Sequence, residues 1–229
     1  MKKKIRVEYV AGAFFTVALV SIMLVVVALQ NSPPRLYPGE VREYKGENLS
    51  SIGHVQDNNI LGNQIVNQST YRLRVTGLVN ETNEYSYSQV VNGFQNYEKV
   101  VTLHCVEGWN AKILWEGVLV RDLLDASIVD PAAKVVISHA QDGYTTALPV
   151  SYFLEHDILL AYKMNGLILP SERGFPFELV AESKYGYKWI KWITQIELSA
   201  NENYLGYWES RGFSNNAGTF HNGTDKVPN

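Results

Sequence analysis

Cysteine is nearly absent: the chain has one, Cys105, among 229 residues. Disulfides within the chain are thereby excluded. So are zinc motifs of the C-x-x-C type, Cys-ligated iron–sulfur clusters and C-x-x-C-H haem attachment. Charge of one sign is also scarce. Lys and Arg number 20 against 23 Asp and Glu, a net −3, and such a balance gives no reason to expect nucleic acid as a partner. There is no internal repeat and no low-complexity tract. No twin-arginine pair precedes the apolar run near the N-terminus, where Lys2, Lys3, Lys4 and Arg6 stand alone.

That run is the longest apolar stretch, uncharged from Tyr9 to Leu29. About 20 residues of helix span roughly 30 Å, the thickness of a bilayer core. A cleaved signal peptide has an apolar core of only about 7–15 residues. The expectation is therefore an uncleaved anchor over 9–29, behind a basic cytoplasmic flank at 1–8, although Val26-Val27-Ala28 also reads as a small-residue cleavage site. Basic flanks stay inside, which places the following domain outside the cytoplasm. Residues 30–50, with Pro33, Pro34, Pro38 and Gly39, read as a polar linker. Asn-x-Ser/Thr sequons at Asn48, Asn67, Asn80 and Asn222 are compatible with an outward-facing domain.

From 51 to 213 the pattern is that of one α+β domain, with short helices among mostly non-parallel strands. Tyr71 to Val79 alternates as a half-buried strand, and Tyr87 to Asn92 is a short helix. Val100 to His104 is a strand carrying Cys105 at its end, with Ile113 to Val120 a second extended piece. Leu119, Leu123 and Leu124 share a helical face. Val135 to Ile137 is a strand feeding the Asp142-Gly143 turn, and Pro149 opens a helix through Glu155. Met164-Asn165-Gly166 joins Ile158–Tyr162 to Leu167–Leu169 as a hairpin. Phe177 to Ala181 and Trp189 to Leu198 are the last strands, and 214–229, rich in Asn, Gly and Thr, reads as a flexible tail.

On spacing alone Cys105 reads first as a small core hydrophobe; its place at a strand end also suits a soft metal ligand, which is the less favoured reading on spacing. Four segments in order decide the weight. They are Val100 to Trp109, Asp142-Gly143-Tyr144, Leu159 to Gly166 through Arg173-Gly174-Phe175-Pro176, and Tyr185 to Trp192. Together they resemble the molybdopterin oxidoreductases of the sulfite oxidase family, over about Tyr71 to Arg211, closest to the single-domain branch that includes the methionine sulfoxide reductase catalytic subunit. The resemblance implies a mixed-sheet domain and a molybdenum–molybdopterin cofactor with Cys105 as its protein ligand to the metal.

It implies further that Lys188 and Lys191, with the backbone amides of Trp189 and Ile190, cradle the cofactor phosphate. Asn58 and Asn59 resemble the pair lying over the cofactor. His139 and Ala140 fall where the family packs against the pterin, and Asp142 and Tyr144 form the loop over the metal, Tyr144 donating to a bound oxo group or substrate. Where many relatives have His or Asn before the Gly-x-Pro, this chain has Arg173; where they have Arg two residues after the Pro, it has Glu178. The phosphate contact is thus expected at Arg173, with Glu178 paired to a nearby base; a surface Arg–Glu pair is the other reading.

Sulfite oxidases proper place a basic residue within a few positions of their ligand cysteine. Here Val106, Glu107, Gly108 and Trp109 follow. A carboxylate and an aromatic ring repel a dianion and suit a neutral substrate with a polarised S–O or N–O bond. Glu107 is then the group that holds or delivers a proton. The expected activity is reduction of a small S-oxide or N-oxide. Sulfite-type oxidation at the same centre is the alternative, and a cofactor-free extracellular binding module on the same fold is a third reading. Electrons are expected from a membrane-bound haem or quinone protein or a soluble carrier, and the soluble portion is expected to be monomeric.

Overall fold

The computed structural model describes residues 17–23 and 37–219. Two compact units divide the chain, Met1–Arg35 and Leu36–Asn229. Of the first, residues 17–23 are helical and exposed, and the rest of the expected anchor lies outside the described residues. No helix among the described residues is long and apolar enough to cross a membrane.

The second unit is built on two sheets. In the first, β5 (Asn96–His104), β6 (Asn110–Leu119), β9 (Leu159–Met164) and β10 (Leu167–Ile168) are neighbours in that order, and β11 (Glu178–Val180) also pairs with β9. Every pairing is antiparallel. In the second, the order is β4 (Asn83–Tyr85), β3 (Leu73–Gly77), β12 (Ile193–Ser199), β7 (Val135–Ala140) and β8 (Thr145–Pro149), with only β3 and β12 parallel. Helices α1 (Tyr87–Gly93), α2 (Val120–Ser127) and α3 (Val150–Glu155) are short. The α+β expectation thus describes the architecture.

Local chemistry explains the elements. Ser86 and Gln89 close a capping box at the start of α1, each side chain satisfying the other's backbone N–H. Leu73 and Val75 alternate inward on β3 with Arg74 outward. On β6 the register with β9 shifts between Glu116 and Gly117. A Cβ at Gly117 would lie 2.3 Å from the Leu160 carbonyl oxygen, so the strands approach there only because glycine has no side chain. A contiguous core running from Ile52 to Leu198 fills the unit.

Four boundaries differ from the sequence reading. The expected linker at 30–50 is part of the domain from Tyr37 onward. Strands β1 (Glu43–Tyr44) and β2 (Glu47–Asn48) form a hairpin, Leu49 is buried, and the Val41 amide donates to the Asn165 carbonyl at 2.8 Å. Thr145–Pro149 is a strand that the Pro-first helix reading hid, since Pro149 both ends β8 and caps α3.

The last strand begins at Ile193, not Trp189. Gly186–Lys188 forms a 3-10 turn, and Trp192 sits at φ 52, outside extended backbone. Residues 189–192 are cationic and aromatic without a period of two, and their side chains are distributed between core and cavity instead of alternating across a sheet. Finally, 214–219 is bound and not loose. Ala217 is buried, its carbonyl accepts from Tyr185 at 2.8 Å, and the Thr219 amide donates to Ser183 at 2.9 Å. Residues 220–229 lie outside the described residues.

Candidate active site

The β5–β6 hairpin presents the thiol. Its ladder runs from Asn96↔Val118 to His104↔Asn110. Beyond it the Cys105 amide donates to the Trp109 carbonyl at 2.9 Å and the Gly108 amide to the Cys105 carbonyl at 3.1 Å. Gly108 takes φ 91, a conformation that glycine adopts without a Cβ penalty. A bridge from His104 to Tyr185 ties this loop to the Tyr185–Trp192 segment.

The thiol opens onto a cavity of about 480 Å³. Ten of the thirteen expected site residues line it: Cys105, Glu107, Tyr144, Asn58, Asn59, Asp142, Arg173, Trp189, Ile190 and Lys191. Beside the thiol, Glu107 Oε2 lies 3.8 Å from Cys105 Sγ and accepts from Asn58 Nδ2 and Trp109 Nε1, each at 3.3 Å. Burial pushes the Cys105 thiol above the ordinary thiol range, and the neighbouring carboxylate adds to this. A bound cation would reverse that balance, since it would favour the thiolate.

Arg173 and Lys191 bring positive charge to the same cavity. Arg173 is buried, its Nε has no hydrogen-bond partner, and it makes no ion pair among the described residues. Lys191 pairs with Asp57 and lies 4.4 Å from the Trp192 ring centroid. Glu178 lines the cavity as well, fully buried, so its departure from the family pattern belongs to the site. Burial pushes its carboxyl up to about 8, against the opposing pull of Lys191 and Arg173. The expected pairing of Glu178 with a nearby base is absent among the described residues as an ion pair; Arg173 and Glu178 form no surface pair either, because both are buried.

Three expected residues lie elsewhere. The Lys188 ammonium is wholly buried away from the cavity lining, donating to the Ala147 carbonyl at 2.9 Å, to Asn215 Oδ1 at 3.1 Å and to Glu209. Burial lowers its pKa and the Glu209 carboxylate opposes that. Its role is internal: it fastens the segment around Glu209 to the domain. His139 faces outward to Glu197 at 2.7 Å, and Ala140 is buried with its amide bonded to the Tyr144 carbonyl at 2.9 Å.

Two roles also change. The Tyr144 hydroxyl donates to the Tyr187 carbonyl at 2.6 Å, and burial raises its pKa, so its one proton is committed to the loop. The Trp189 and Ile190 amides donate to the carbonyls of Gly186 and Lys188, at 3.0 and 3.1 Å, and are not free for a phosphate. Side chains missed by sequence reasoning include Val55, Gln56, Tyr187, Trp192, Trp208 and Phe213, all on the cavity lining. Tyr187 and Trp192 stand inside the quoted terminal motif. Trp208 and Phe213 belong to an aromatic-rich stretch whose only signal was composition.

Residues 61–208 match the oxidoreductase molybdopterin binding domain. The chain belongs to that family. Among curated relatives it is 38% identical over 144 residues to YuiH, an uncharacterized oxidoreductase of Bacillus subtilis, covering 62% of this chain and 72% of that one. It is 30% identical over 176 residues to a nitrate reductase [NAD(P)H] of Hordeum vulgare, covering 62% of this chain and 20% of that one. It is 30% identical over 149 residues to the protein-methionine-sulfoxide reductase catalytic subunit MsrP of Gluconobacter oxydans, covering 58% and 48%. The matched region thus spans less than half of MsrP and a fifth of the nitrate reductase. The fold is shared with the sulfane dehydrogenase SoxCD of Paracoccus pantotrophus, at TM-score 0.60 and 21% identity, over 63% of this chain and 42% of that one.

The chain is accordingly a molybdopterin oxidoreductase of the sulfite oxidase family, and its residues fit the cofactor. The cavity offers a single soft thiol, a buried guanidinium nitrogen left without a partner, and aromatic walls suited to a flat heterocycle.

Two outcomes follow for the charged groups. Lys188→Met leaves the buried Glu209 carboxylate without its cation, a change that costs about 3–5 kcal/mol where a buried pair is broken. Chemical denaturation is expected to show that loss; a variant as stable as the wild type would assign Lys188 elsewhere. For Glu178 the raised pKa means the neutral carboxyl is the favoured buried form. Its contribution is fully present below about 4.5 and is lost as pH rises toward about 8. Wild-type stability is expected to fall across that window relative to Glu178→Gln, by on the order of a few kcal/mol. Parallel stability–pH curves for the two proteins would contradict the burial of this carboxyl.

Proposed function

We propose that this oxidoreductase reduces a small neutral S-oxide or N-oxide. The observation that carries the reading is the Glu107 carboxylate, 3.8 Å from the Cys105 thiol and fixed by Asn58 and Trp109. Negative charge at that point disfavours an approaching dianion such as sulfite. It suits instead a substrate whose oxygen leaves as water, because that oxygen must collect protons.

The bound cofactor would supply oxygen-atom transfer at molybdenum. Cys105 would hold the metal through a thiolate. Arg173, through its unpartnered Nε, and Lys191, on release from Asp57, would hold the cofactor phosphate, while Asn58, Asn59 and Asp142 flank the cavity. Glu107 would carry the proton delivered to the departing oxygen. Trp109 orients this carboxylate through a hydrogen bond from Nε1 at 3.3 Å.

Electrons reach the site, on this reading, from a separate membrane-bound haem or quinone protein or from a soluble carrier. We infer also that the domain is anchored outside the cytoplasm by the apolar run Tyr9 to Leu29, the basic residues Lys2 to Arg6 staying inside. Mass measurement of the protein extracted from membranes is expected to include Met1 to Leu29, apart from removal of the initiator Met. A mature N-terminus near Leu29 would replace the anchor with a signal peptide.

Cys105→Ser tests the centre. A serine oxygen is hard and mostly protonated, so it cannot replace the thiolate's charge donation. The variant is expected to fold and to keep pterin through its phosphate contacts. It should lose metal–thiolate charge-transfer absorption and nearly all turnover. Full activity toward sulfoxides or N-oxides in folded Cys105→Ser would sink the assignment.

A further inference from the structure

Beyond the cofactor and the proton carrier, the cavity has an aromatic edge with no assigned task. Trp208 and Phe213 both line it, and Trp208 is 37% exposed. Their ring centroids are 5.0 Å apart, and the Phe213 ring meets Tyr187, another lining residue, at 5.2 Å in an edge-on contact. An apolar rim of aromatic rings at the mouth of a cavity is the kind of surface that ligand-binding grooves use.

The two rings are held in place by a turn anchored in the core. Between them lies the 3-10 turn Glu209–Arg211, closed by the Phe213 amide donating to the Trp208 carbonyl at 3.2 Å. Gly212, at φ 96, permits the reversal. Glu209, which opens the turn, is buried, where it accepts from Thr146 Oγ1 at 2.6 Å and from the Lys188 ammonium. Tyr187 adds a hydrogen bond from its hydroxyl to the Ser214 carbonyl at 2.8 Å. The surface is thus preorganised, which reduces the ordering cost of binding against it.

We propose that Trp208 and Phe213 are specificity-determining residues that select oxides bearing a flat apolar substituent, in practice aryl sulfoxides over dimethyl sulfoxide. The inference rests on the oxide-reductase reading. The substituent stacks against the two rings while the S–O group enters the polar part of the cavity with Cys105 and Glu107. The reaction balances as sulfoxide plus two electrons and two protons giving sulfide and water, the S–O bond breaking and sulfur being reduced. In the assay a reduced viologen dye supplies the electrons.

The experiment measures kcat/KM of the molybdenum-loaded enzyme for methyl phenyl sulfoxide and for dimethyl sulfoxide. In parallel it measures calorimetric binding of methyl phenyl sulfone and dimethyl sulfone, used as unreduced probes. Wild type is expected to favour the aryl compound in both. Trp208→Ala and Phe213→Ala are each expected to lower the aryl-to-dimethyl ratio by about tenfold, the size expected for loss of a ring contact and its apolar burial. Trp208→Phe should keep most of the preference. A merely structural role would lower folded yield or both rates together and leave the ratio unchanged. An unchanged ratio in both alanine variants, or no aryl preference in wild type, overturns the proposal. If wild type reduces neither sulfoxide, the oxide-reductase reading fails, and the sulfones decide the clamp separately. Weaker aryl sulfone binding in Trp208→Ala then supports it, and equal binding overturns it.

Discussion

The pairing of β5 with β6 is the constraint on which the site depends. Side chains alternate across a strand, so a slip of one residue would turn Cys105 to the opposite face. The ladder from Asn96↔Val118 to His104↔Asn110 leaves no such freedom, because Val101 and Leu103 are buried on one face and Ala111 and Ile113 answer them from β6. The loop that follows is closed by the bond between the Cys105 amide and the Trp109 carbonyl. Thiol, carboxylate and indole therefore come from one five-residue loop whose geometry the strands dictate. Gly117 extends that control to the next strand, since its missing side chain lets β9 close against β6.

A second constraint is the buried pair of Lys188 and Glu209. Its two charges are desolvated together, which is costly unless the geometry is satisfied, and here Ala147, Asn215 and Thr146 supply further hydrogen bonds. One carboxylate oxygen, Glu209 Oε2, still has no partner. The pair joins the motif segment at 185–192 to the last stretch of the described residues. It is a structural answer to a topological need: residues 200–219 follow the final strand and have no sheet to join. Without an internal charge to meet, Glu209 would leave the core for water and carry the neighbouring rings with it.

Much of this was legible in the sequence, for identifiable reasons. Strands and hairpins with clear alternation or a strong turn, such as Leu73–Gly77 and Met164-Asn165-Gly166, lie where their patterns place them. The α+β class and the family follow from motifs that keep their order. Failures cluster where the pattern mixes periods. Lysine 188 was read as a phosphate contact because a motif gives position along the chain and not direction in space. Its neighbour Lys191 lines the cavity, while Lys188, three residues earlier and in a 3-10 turn, faces the interior. The polar stretch from Tyr37 to Ser50 looked like a tether, since a polar composition does not reveal that Leu49 and Tyr37 pack against the core. Trp208 and Phe213 were missed because their place at the cavity depends on Glu209, whose partner is 21 residues away.

The charge pattern of the cavity gives the last step. Carboxylates stand beside the thiol at Glu107 and within the lining at Asp142 and Glu178, and cations stand at Arg173 and Lys191. Such a mixture is not simply a nest for anions. Burial favours the neutral form of Glu178, so near neutrality this group adds less negative charge than its formula suggests. Arg173 brings a buried guanidinium that makes no ion pair among the described residues. The lining is therefore polarised, with fixed positive charge at the guanidinium and negative charge at Glu107. A cofactor carrying a phosphate at one end and a metal at the other meets that polarity in the right sense, provided its anionic end lies toward Arg173 and its metal toward Cys105. Glu178 alters the balance of this lining without reversing it, because Arg173 and Lys191 bring cations to the same cavity.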